Sequence, residues 1–491
     1  MTFNNKIFLM GMPAIVLGLV LFFGASVSAQ IEAPVDNLSA STAVESSPMA
    51  AEPSGRAGSP TAAAVEGPGA VQTWNWHMQS TAILQGYSSL AARYSGSNSL
   101  PPSGEARETV SVDTYGGYRL WNGAEAHIDL LTWQGFGLRG TVGIDDFPNG
   151  EAYKVGTHKP HFDLARFYIR QTIGLGGGRE NILDDQQTLG GQQDVSRLTF
   201  TIGRFSAKDV FDTNTYANDP RKQFMNWALV ANIAWDYPAD SLGYTTGVTV
   251  ELNQPKWTLR YGFFQLPNQR NGFTAEGQFL VIPGESTAGD GSFLRSWGMV
   301  VEQERRYGVK DHPGTVRLLA YVNQGRFGSY RAALSAPGTD IDLTHAYRHE
   351  YGLGLNAEQE ITKNIGVFSR LGWNDGHSEA WMFADANYTA SLGASVKGAA
   401  WRRPEDTVGL AGVWSGISRN NRLFLQAGGT GILDGDGALS YSAEKVIEMY
   451  YDCKLAKRLH GALDYQFVAD PAFNSARGPV AIFATRFHWE F

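Results

Sequence analysis

The sequence predicts an all-β protein, namely a transmembrane antiparallel β-barrel of about sixteen strands with long extracellular loops partly folded into the lumen. Three observations predict this fold class. Segments with period-two alternation recur along most of the chain, short and long connections alternate between them, and the composition is rich in glycine and aromatic residues. Beyond the N-terminus, no run of about 18 apolar residues suggests a membrane helix.

The clearest alternating segment is the last one, which ends at Phe491. One of its faces is apolar and aromatic, and the other is mostly polar. The first face carries Ala481, Phe483, Thr485, Phe487, Trp489 and Phe491, and the second carries Ile482, Ala484, Arg486, His488 and Glu490. Side chains of a strand point alternately to opposite faces, so this strand separates two different media. That pattern is typical of the closing strand of an outer-membrane barrel, with apolar residues toward lipid and polar residues toward a wet lumen.

The bulk composition fits one large barrel and excludes several function classes. The chain has 491 residues, with 57 glycines, 12% aromatic residues and only 18% charged residues. A net charge of −8 argues against nucleic acid as a partner. The single cysteine, Cys453, cannot form an intramolecular disulfide, and its period-two neighbours indicate a lipid-facing position.

The N-terminal 70 residues lie outside the predicted barrel. Lys6, an apolar run over 7–23 and the small residues of Val27-Ser28-Ala29 predict a secretory signal peptide over residues 1–29. Residues 30–70 are rich in Ala, Ser, Pro and Gly and carry no aromatic residue, which predicts a disordered periplasmic extension. The barrel domain is therefore expected over 71–491, in the outer membrane of a Gram-negative bacterium.

Sixteen segments read as strands. They lie near 74–87, 108–121, 124–133, 162–173, 197–204, 245–252, 257–264, 296–306, 315–323, 348–360, 364–373, 380–392, 406–416, 444–455, 458–469 and 480–491. Many approach the ten or so residues that a tilted strand needs to cross a bilayer. An even number of strands brings both ends of the barrel domain to the periplasmic side.

The connections alternate in length as this topology requires. Tight turns are predicted at Asn122-Gly123, 253–256, 361–363 and 456–457, and Asn-Gly is the strongest short hairpin signal. Long connections fall at 88–107, 134–161, 205–244, 265–295, 324–347 and 417–443. The connection 174–195 does not fit, because it is long but should be periplasmic; an additional hairpin or small helix would account for it.

Charged side chains on the polar faces predict a wet lumen, since sixteen strands enclose an aqueous channel. Burying these charges in a dry core would cost a prohibitive amount of free energy, whereas charges that line water cost little. Examples further along are Glu302 and Glu304, Glu358, and Glu448. Arginine offers a rigid fork of donors and a carboxylate is a pure acceptor, so a mixed wall suits a neutral polyol. The predicted pore-lining contacts are Arg119, Arg166 and Arg170 as donors, Asp113, Glu125 and Asp129 as acceptors, and Tyr115 and Trp121 as aromatic neighbours.

The most distinctive stretch is the long connection 205–244, which is rich in both carboxylates and aromatic residues. A connection of about forty residues with this content is not expected to hang in solvent. Two placements are open: it folds into the barrel and narrows it, or it caps the outer rim. The residues predicted to form a constriction are Asp209, Asp212, Tyr216, Asp219, Trp227 and Trp235.

Several motifs give a specific resemblance. They are Trp74-Asn75-Trp76-His77, Tyr94-Ser95-Gly96-Ser97-Asn98-Ser99-Leu100, Phe147-Pro148-Asn149-Gly150-Glu151-Ala152, Arg170-Gln171-Thr172-Ile173-Gly174-Leu175, Gly203-Arg204-Phe205-Ser206-Ala207-Lys208-Asp209 and the 205–244 connection itself. With these motifs the chain resembles the carbohydrate-selective porin family, the OprB-like proteins, over about 72–491. The resemblance implies a sixteen-stranded outer-membrane channel for monosaccharides such as glucose, with small oligosaccharides as an open extension. It also implies a constriction built from inward loops and wall arginines and carboxylates. The 30–70 extension departs from this pattern.

Other functions fit less of the sequence but stay open. A general diffusion or export channel would use the same fold, and a plugged, non-conducting barrel is a further alternative. An outer-membrane barrel enzyme lacks any evident nucleophile, so no enzymatic activity is predicted. The expected partners are small sugars and the outer-membrane lipid bilayer, and homo-oligomerisation is left open.

No cofactor and no metal site is predicted. The glycine-rich run after Gly174 lacks the Lys-Ser/Thr of a phosphate loop. The Asp434-Gly435-Asp436-Gly437 segment hints at calcium, but no acidic residue stands where an EF-hand needs its bidentate ligand. Weak extracellular calcium binding by this segment is left open.

Overall fold

The computed structural model describes residues 71–152, 156–267, 269–270 and 294–491. The predicted signal peptide, 1–29, and the predicted extension, 30–70, lie outside the described residues, so both stay predictions.

Eighteen strands form in the described chain, and most of them coincide with segments of period-two alternation. They are β1 (Trp74–Tyr87), β2 (Glu105–Trp121), β3 (Ala124–Gly135), β4 (Thr157–Gly174), β5 (Arg179–Ile182), β6 (Gly191–Asp194), β7 (Arg197–Phe205), β8 (Thr245–Gln254), β9 (Trp257–Gln265), β10 (Trp297–Val309), β11 (His312–Gly325), β12 (Arg348–Thr362), β13 (Ile365–Asn374), β14 (Tyr388–Gly398), β15 (Arg403–Gly416), β16 (Glu444–Ala456), β17 (Leu459–Ala469) and β18 (Val480–Glu490).

Sixteen of these strands close into one antiparallel barrel, which confirms the predicted fold class. Each strand pairs with its neighbour in the chain, β4 pairs with β7, and β18 returns to pair with β1, where Gln79 lies opposite Glu490. The two remaining strands, β5 and β6, form a separate hairpin between β4 and β7. This hairpin explains the long connection 174–195 that did not fit the predicted topology.

The barrel wall has the two faces that the alternation predicts. In β18, Phe483 and Phe487 are 63% and 52% exposed, whereas Ile482 and Arg486 on the opposite face are almost fully buried. Outward residues of other strands, such as Leu410, are exposed in the same way. A continuous apolar outer face of this kind is what a transmembrane barrel presents to lipid.

The two ends of the barrel differ in their connections. At the end where β1 begins and β18 ends, most connections are tight, for example Asn122-Gly123 between β2 and β3. At the opposite end the connections are long and run over 88–104, 136–156, 206–244, 266–296, 326–347, 375–387, 417–443 and 470–479. We call these the short-turn end and the long-loop end.

One predicted strand begins too early. The segment predicted at 380–392 becomes strand only from Tyr388, and the residues before it belong to a buried loop. There the backbone N–H groups of Trp381 and Met382 donate to the carboxylate of Asp236 instead of to a neighbouring strand. Apolar residues buried in a loop gave the same signal as a strand, because periodicity does not distinguish the two over so short a run.

Helices are few and short. The α-helices are α1 (Trp227–Val230), α2 (Tyr330–Ala333) and α3 (Arg419–Gln426), and the 3-10 helices span Leu138–Gly140, Ala207–Asp209, Pro337–Thr339, Asp342–Thr344, Ala399–Trp401 and Pro471–Phe473. Within the part of the chain that the structure describes, no helix has the length and apolar character needed to cross a membrane.

The protein core lies inside the barrel, because the connection between β7 and β8 folds into the lumen. We call residues 206–244 the inward loop. Its placement inside the barrel decides between the two alternatives left open by the sequence. Gly366 and Gly372 on the inner face of β13 make room for it, since a Cβ there would stand 1.9 Å from Tyr216 and 2.0 Å from Asn232.

The carboxylates on the inner wall are therefore less exposed to water than the predicted wet lumen implied. Glu302 and Glu448 are fully buried, and Glu358 is 5% exposed. Instead of facing water, they accept backbone N–H groups of the inward loop: Glu302 from Asp212 at 2.7 Å and Glu448 from Met225 at 2.6 Å. The wall carboxylates thus have hydrogen-bond donors in the loop, and these hydrogen bonds hold the loop in place.

Candidate functional site in the barrel lumen

A cavity of about 270 Å³ remains in the lumen beside the inward loop. Its lining comes from four sources: the barrel wall, the inward loop, the β5–β6 hairpin, and the loops before β4 and β14. Because elements distant in the chain converge on it, the cavity exists only in the closed barrel. It is the candidate site, since concave spaces lined by aromatic and a few polar groups are where small ligands bind.

Arg166 on β4 joins the wall to the inward loop at this cavity. Its guanidinium forms a bidentate pair with Asp209, with Nε and Nη2 at 2.8 and 2.7 Å from the carboxylate oxygens. The remaining Nη1 donates to Asp129 on β3 at 2.6 Å, and the Tyr244 ring centroid lies 5.0 Å from the guanidinium carbon. With all of these partners, Arg166 is held in one orientation.

A second arginine, Arg221, comes from the inward loop itself. Its Nε donates to Glu151 at 2.9 Å, and its Nη2 lies 3.3 Å from Asp113 on β2. Ser111 also donates to Glu151, at 2.7 Å. Burial raises the pKa of Glu151, although Arg221 opposes this shift.

A third arginine, Arg317 on β11, reaches the cavity from another part of the wall. It donates to Glu304 at 3.0 Å and to Glu358 at 3.2 Å. Its Nη1 is buried and has no hydrogen-bond partner among the described residues. Since Arg317 lines the cavity, its guanidinium places a positive charge beside any polar solute there.

The charges that line the cavity are balanced. Among the described residues, four cations and four carboxylates contribute to the lining: Arg166, Lys208, Arg221 and Arg317 against Glu151, Asp185, Asp209 and Asp219. A lumen selective for one ion sign would carry mostly the opposite charge. The balance favours a solute that is neutral but rich in hydrogen-bonding groups.

Four of the aromatic residues that line the cavity contact one another. We call them the aromatic patch: Phe147, Trp227, Tyr237 and Phe383. The rings of Tyr237 and Phe383 stack at 4.5 Å between centroids and 19° between planes. Phe147 and Trp227 stack at 5.4 Å and 13°. Such a surface offers apolar faces beside the charged groups.

The inward loop is fixed to the wall through Asp212. This carboxylate accepts from Arg370 on β13 at 3.0 Å and from Asn356 on β12 at 2.7 Å, and Lys208 lies at 3.2 Å. Burial alone would raise the pKa of Asp212, but Arg370 and Lys208 outweigh it and hold the pKa at about 2. Burial lowers the pKa of Lys208, against the opposing effect of Asp212.

The tip of the β5–β6 hairpin reaches the cavity from the short-turn end. Gln187 accepts from Arg170 through its backbone oxygen at 2.9 Å, and Gln186 donates to Gln79 on β1 at 2.8 Å. Asp185, Gln186 and Gln187 all line the cavity. The hairpin thus partly covers the lumen from this side.

The eight predicted wall residues do not form one site. Arg166 and Tyr115 line the cavity. Asp129 and Asp113 lie behind it and contact the cavity arginines Arg166 and Arg221.

The other four wall residues lie closer to the short-turn end. Arg170 holds the hairpin tip, Arg119 lies 3.3 Å from Glu125, and Trp121 is 60% exposed at the rim. A register shift between Arg119 and Trp121 breaks the alternation that had placed Trp121 on the inner face.

The six residues predicted for a constriction all belong to the inward loop, but only half of them reach the cavity. Asp209, Asp219 and Trp227 line it. Asp212 anchors the loop, Trp235 is buried against Phe211, and Tyr216 packs against the wall at Gly366.

Sequence reasoning missed several residues that line the cavity. These are Phe147, Glu151, Lys208, Arg221, Tyr237, Tyr244, Arg317 and Phe383. Phe147 and Glu151 belong to a motif used for the resemblance. The 205–244 connection contains four more of them: Lys208, Arg221, Tyr237 and Tyr244. The sequence therefore carried a signal for these six. Phe383 had none, because its segment was predicted to be a strand.

The structure is similar to several solved structures. OprB of Pseudomonas putida at high pH is 15% identical, with 85% of this chain and 94% of that chain covered and a TM-score of 0.61. Its low-pH structure is 12% identical, with 85% and 93% covered and a TM-score of 0.47. OccK2 of Pseudomonas aeruginosa is 9% identical, with 84% and 97% covered and a TM-score of 0.40. At 15% identity, the similarity to the first of these shows the fold.

The sequence itself identifies the family. No curated protein sequence matches the chain. The model of the carbohydrate-selective porin, OprB family, matches residues 97–491, which is most of the chain. The closed sixteen-stranded barrel with a partly occupied lumen agrees with that match. The chain therefore belongs to the OprB family of carbohydrate-selective porins.

Proposed function

We propose that the protein lets small sugars diffuse passively through the outer membrane of a Gram-negative bacterium into the periplasm. The solutes are monosaccharides such as glucose, with small oligosaccharides as an extension. The long-loop end faces outward and the short-turn end faces the periplasm, as in other outer-membrane barrels. The transport includes no chemical step.

The observation that carries the proposal is the pairing of a charge-balanced lining with an aromatic patch in one cavity. A sugar presents hydroxyl groups at its edges and C–H groups on its faces. Arg166 and Arg221 line the cavity as donors for the hydroxyl groups, and Asp209 and Glu151 line it as acceptors. Trp227 and Phe383 offer flat surfaces to the C–H faces.

Weak binding is required for such a channel to conduct. Binding at the cavity replaces part of the sugar's hydration, and it must be weak enough to let the sugar leave again. Since Arg166 and Arg221 are already paired with carboxylates, they do not have to be desolvated further when a sugar binds. Their fixed orientation also keeps the ordering cost of binding low.

Substitutions in the aromatic patch test this proposal. Purified mature protein in liposomes should take up glucose with saturation, without an energy source. In Trp227→Leu and Phe383→Leu, the saturating glucose concentration should rise about 2- to 10-fold, as expected for the loss of roughly 0.5–1.5 kcal/mol of aromatic contact. Trp414→Leu is the matched control, because Trp414 on β15 is 46% exposed on the outer face.

Uptake of a non-sugar solute of similar size separates the alternatives. In the sugar-selective channel this uptake is slow and unaffected by the two lumen substitutions. Equal uptake of both solutes by the wild-type protein would indicate a general diffusion porin. Unchanged saturation in both variants would remove the aromatic patch from the binding site.

A further inference from the structure

Three loops of the long-loop end meet at a group of buried carboxylates away from the cavity lining. Asp145 comes from the loop before β4, Asp385 from the loop before β14, and Asp434 from the loop before β16. All three are at most 2% exposed. One oxygen from each lies within 4.8 Å of the other two. Carboxylates this close and this dry repel one another strongly.

Asp385 is oriented by the backbone of the Asp434 loop. Leu433 N–H donates to it at 2.9 Å and Asp434 N–H at 3.2 Å, while the backbone N–H of Asp385 donates to Asp145 at 2.5 Å. A side chain at Gly431 would stand 2.7 Å from the Asp385 carboxylate, so the loop passes it closely. These contacts fix where the carboxylates stand without neutralising them.

Within this group, the Asp434 carboxylate is buried without hydrogen bonds that would stabilise its charge. It is fully buried, and neither of its carboxylate oxygens has a hydrogen-bond partner among the described residues. The neighbouring amide oxygen of Asn421, whose Nδ2 donates to the Asp385 backbone, also lacks one. A buried charge without a partner costs several kcal/mol, so the native structure requires a cation or a proton that compensates the charge at this point.

Two further carboxylates border the group and are satisfied differently. Glu444 accepts the backbone N–H groups of Asp145, Asp146 and Ala472, and Asp146 accepts from the Ser415 hydroxyl. They add negative charge beside the three central oxygens. This group of carboxylates therefore favours a cation with more than one positive charge.

The geometry points to a calcium site: we propose that Asp145, Asp385 and Asp434 bind one Ca²⁺ and tie the three loops together. Calcium binds oxygen at about 2.3–2.6 Å, so ligands across the ion stand up to about 5 Å apart, which accommodates these oxygens. Magnesium binds at about 2.0–2.1 Å and demands a stricter octahedron, so its ligands must lie closer together. The Asn421 amide oxygen, which has no hydrogen-bond partner among the described residues, is a further candidate ligand.

The site connects to the candidate pathway through two short segments. Phe147 lies two residues after Asp145, and Phe383 lies two residues before Asp385. Both belong to the aromatic patch. Bound calcium would hold these two rings in place; this consequence, unlike the site itself, rests on the proposed function.

Calcium binding can be measured on the full mature chain in detergent. After treatment with a chelator, titration with CaCl₂ in a calorimeter at neutral pH should show one ion bound per chain. Asp434→Asn keeps the shape and removes the charge, and it should weaken binding at least about 10-fold. Asp436→Asn is the matched control in the same loop, because Asp436 faces Arg477 and Asn474 instead.

A second readout does not depend on transport. Hydrogen–deuterium exchange of the loops 136–152, 375–387 and 417–443 should slow when CaCl₂ is added to wild type and to Asp436→Asn, but not to Asp434→Asn. Absence of calcium binding by the wild type would overturn the proposal and indicate that protons neutralise the group. Equal binding by Asp434→Asn, or equally strong binding of MgCl₂, would also overturn it. None of these results depends on whether sugars pass.

Discussion

At the scale of single residues, the inward loop depends on one buried carboxylate. Asp212 is 3% exposed and faces two cations, Arg370 from β13 and Lys208 from the loop itself. Its own backbone N–H donates to Glu302. The loop and the wall are thus joined at one point by groups of both charge signs. Removal of the Asp212 charge takes from Arg370 and Lys208 the carboxylate that both contact and leaves them with backbone carbonyl partners.

This arrangement predicts a pH dependence with a definite sign. The pKa of Asp212 lies at about 2 in the folded protein, below its ordinary value of 3.8. A lowered pKa contributes stability that is present above 3.8 and is lost as the pH falls through 2. The contribution amounts to about 2 kcal/mol, so the inward loop should stay docked at pH 7, 5 and 4.

The substitution Asp212→Asn should remove this contribution already at pH 7. Hydrogen–deuterium exchange of the amides in 206–244, corrected for intrinsic rates, should become roughly 30-fold faster in the variant. Asp340→Asn, in an exposed loop, is the control and should exchange like wild type. Wild-type exchange rates in Asp212→Asn would show that other contacts hold the loop.

At the scale of elements, the strands were predictable and the lumen was not. Strand positions follow from alternation, which depends only on the order of residues along the chain. The first strand was predicted to its exact ends, and β13 and β17 to within one residue. Bulges are different: the register shift after Arg119 moved Trp121 off the inner face without a local sequence signal.

Contacts between loops lie further outside what a sequence pattern shows. The partners of Asp212 lie 158 and 144 residues away at Arg370 and Asn356, so no spacing along the chain indicates them. Similarly, Glu358 was predicted as an inward charge, but its pairing with Arg317 was not. The cavity lining was therefore predicted only where it coincided with a wall position or with the long connection.

The β5–β6 hairpin supplies a prediction at this scale. Ile182 and Gly191 are paired, so residues 183–190 can be replaced by Asn-Gly to leave a tight hairpin without its tip. Because Asp185, Gln186 and Gln187 line the cavity, single-channel conductance of this variant should increase. The double substitution Asn181→Ala/Gln192→Ala is the control, since both side chains are exposed on the same hairpin.

Conductance equal to that of the wild type in the shortened variant would mean that the hairpin tip does not limit the pathway. An increase in the control as well would point to loosening of the entire hairpin.

At the scale of the whole molecule, the barrel wall and its contents have separate tasks. The wall presents apolar residues outward and charges inward, and some of the inward charges, such as Glu302 and Glu448, hold the inward loop. What remains open is a small cavity that four cations and four carboxylates among the described residues line, together with the aromatic patch. A balanced lining of this kind gives little advantage to ions of either sign and suits a neutral polyol.

We propose that the lumen binds sugars weakly while they pass. The most direct measurement is single-channel current of the mature protein in a planar bilayer, with glucose, a disaccharide and a non-sugar of similar size added in turn. We expect reversible block of the current by the sugars alone, half-maximal at about 1–100 mM, which is binding weak enough to let the sugar leave. Current that is unaffected by glucose, or blocked equally by the non-sugar, would contradict it.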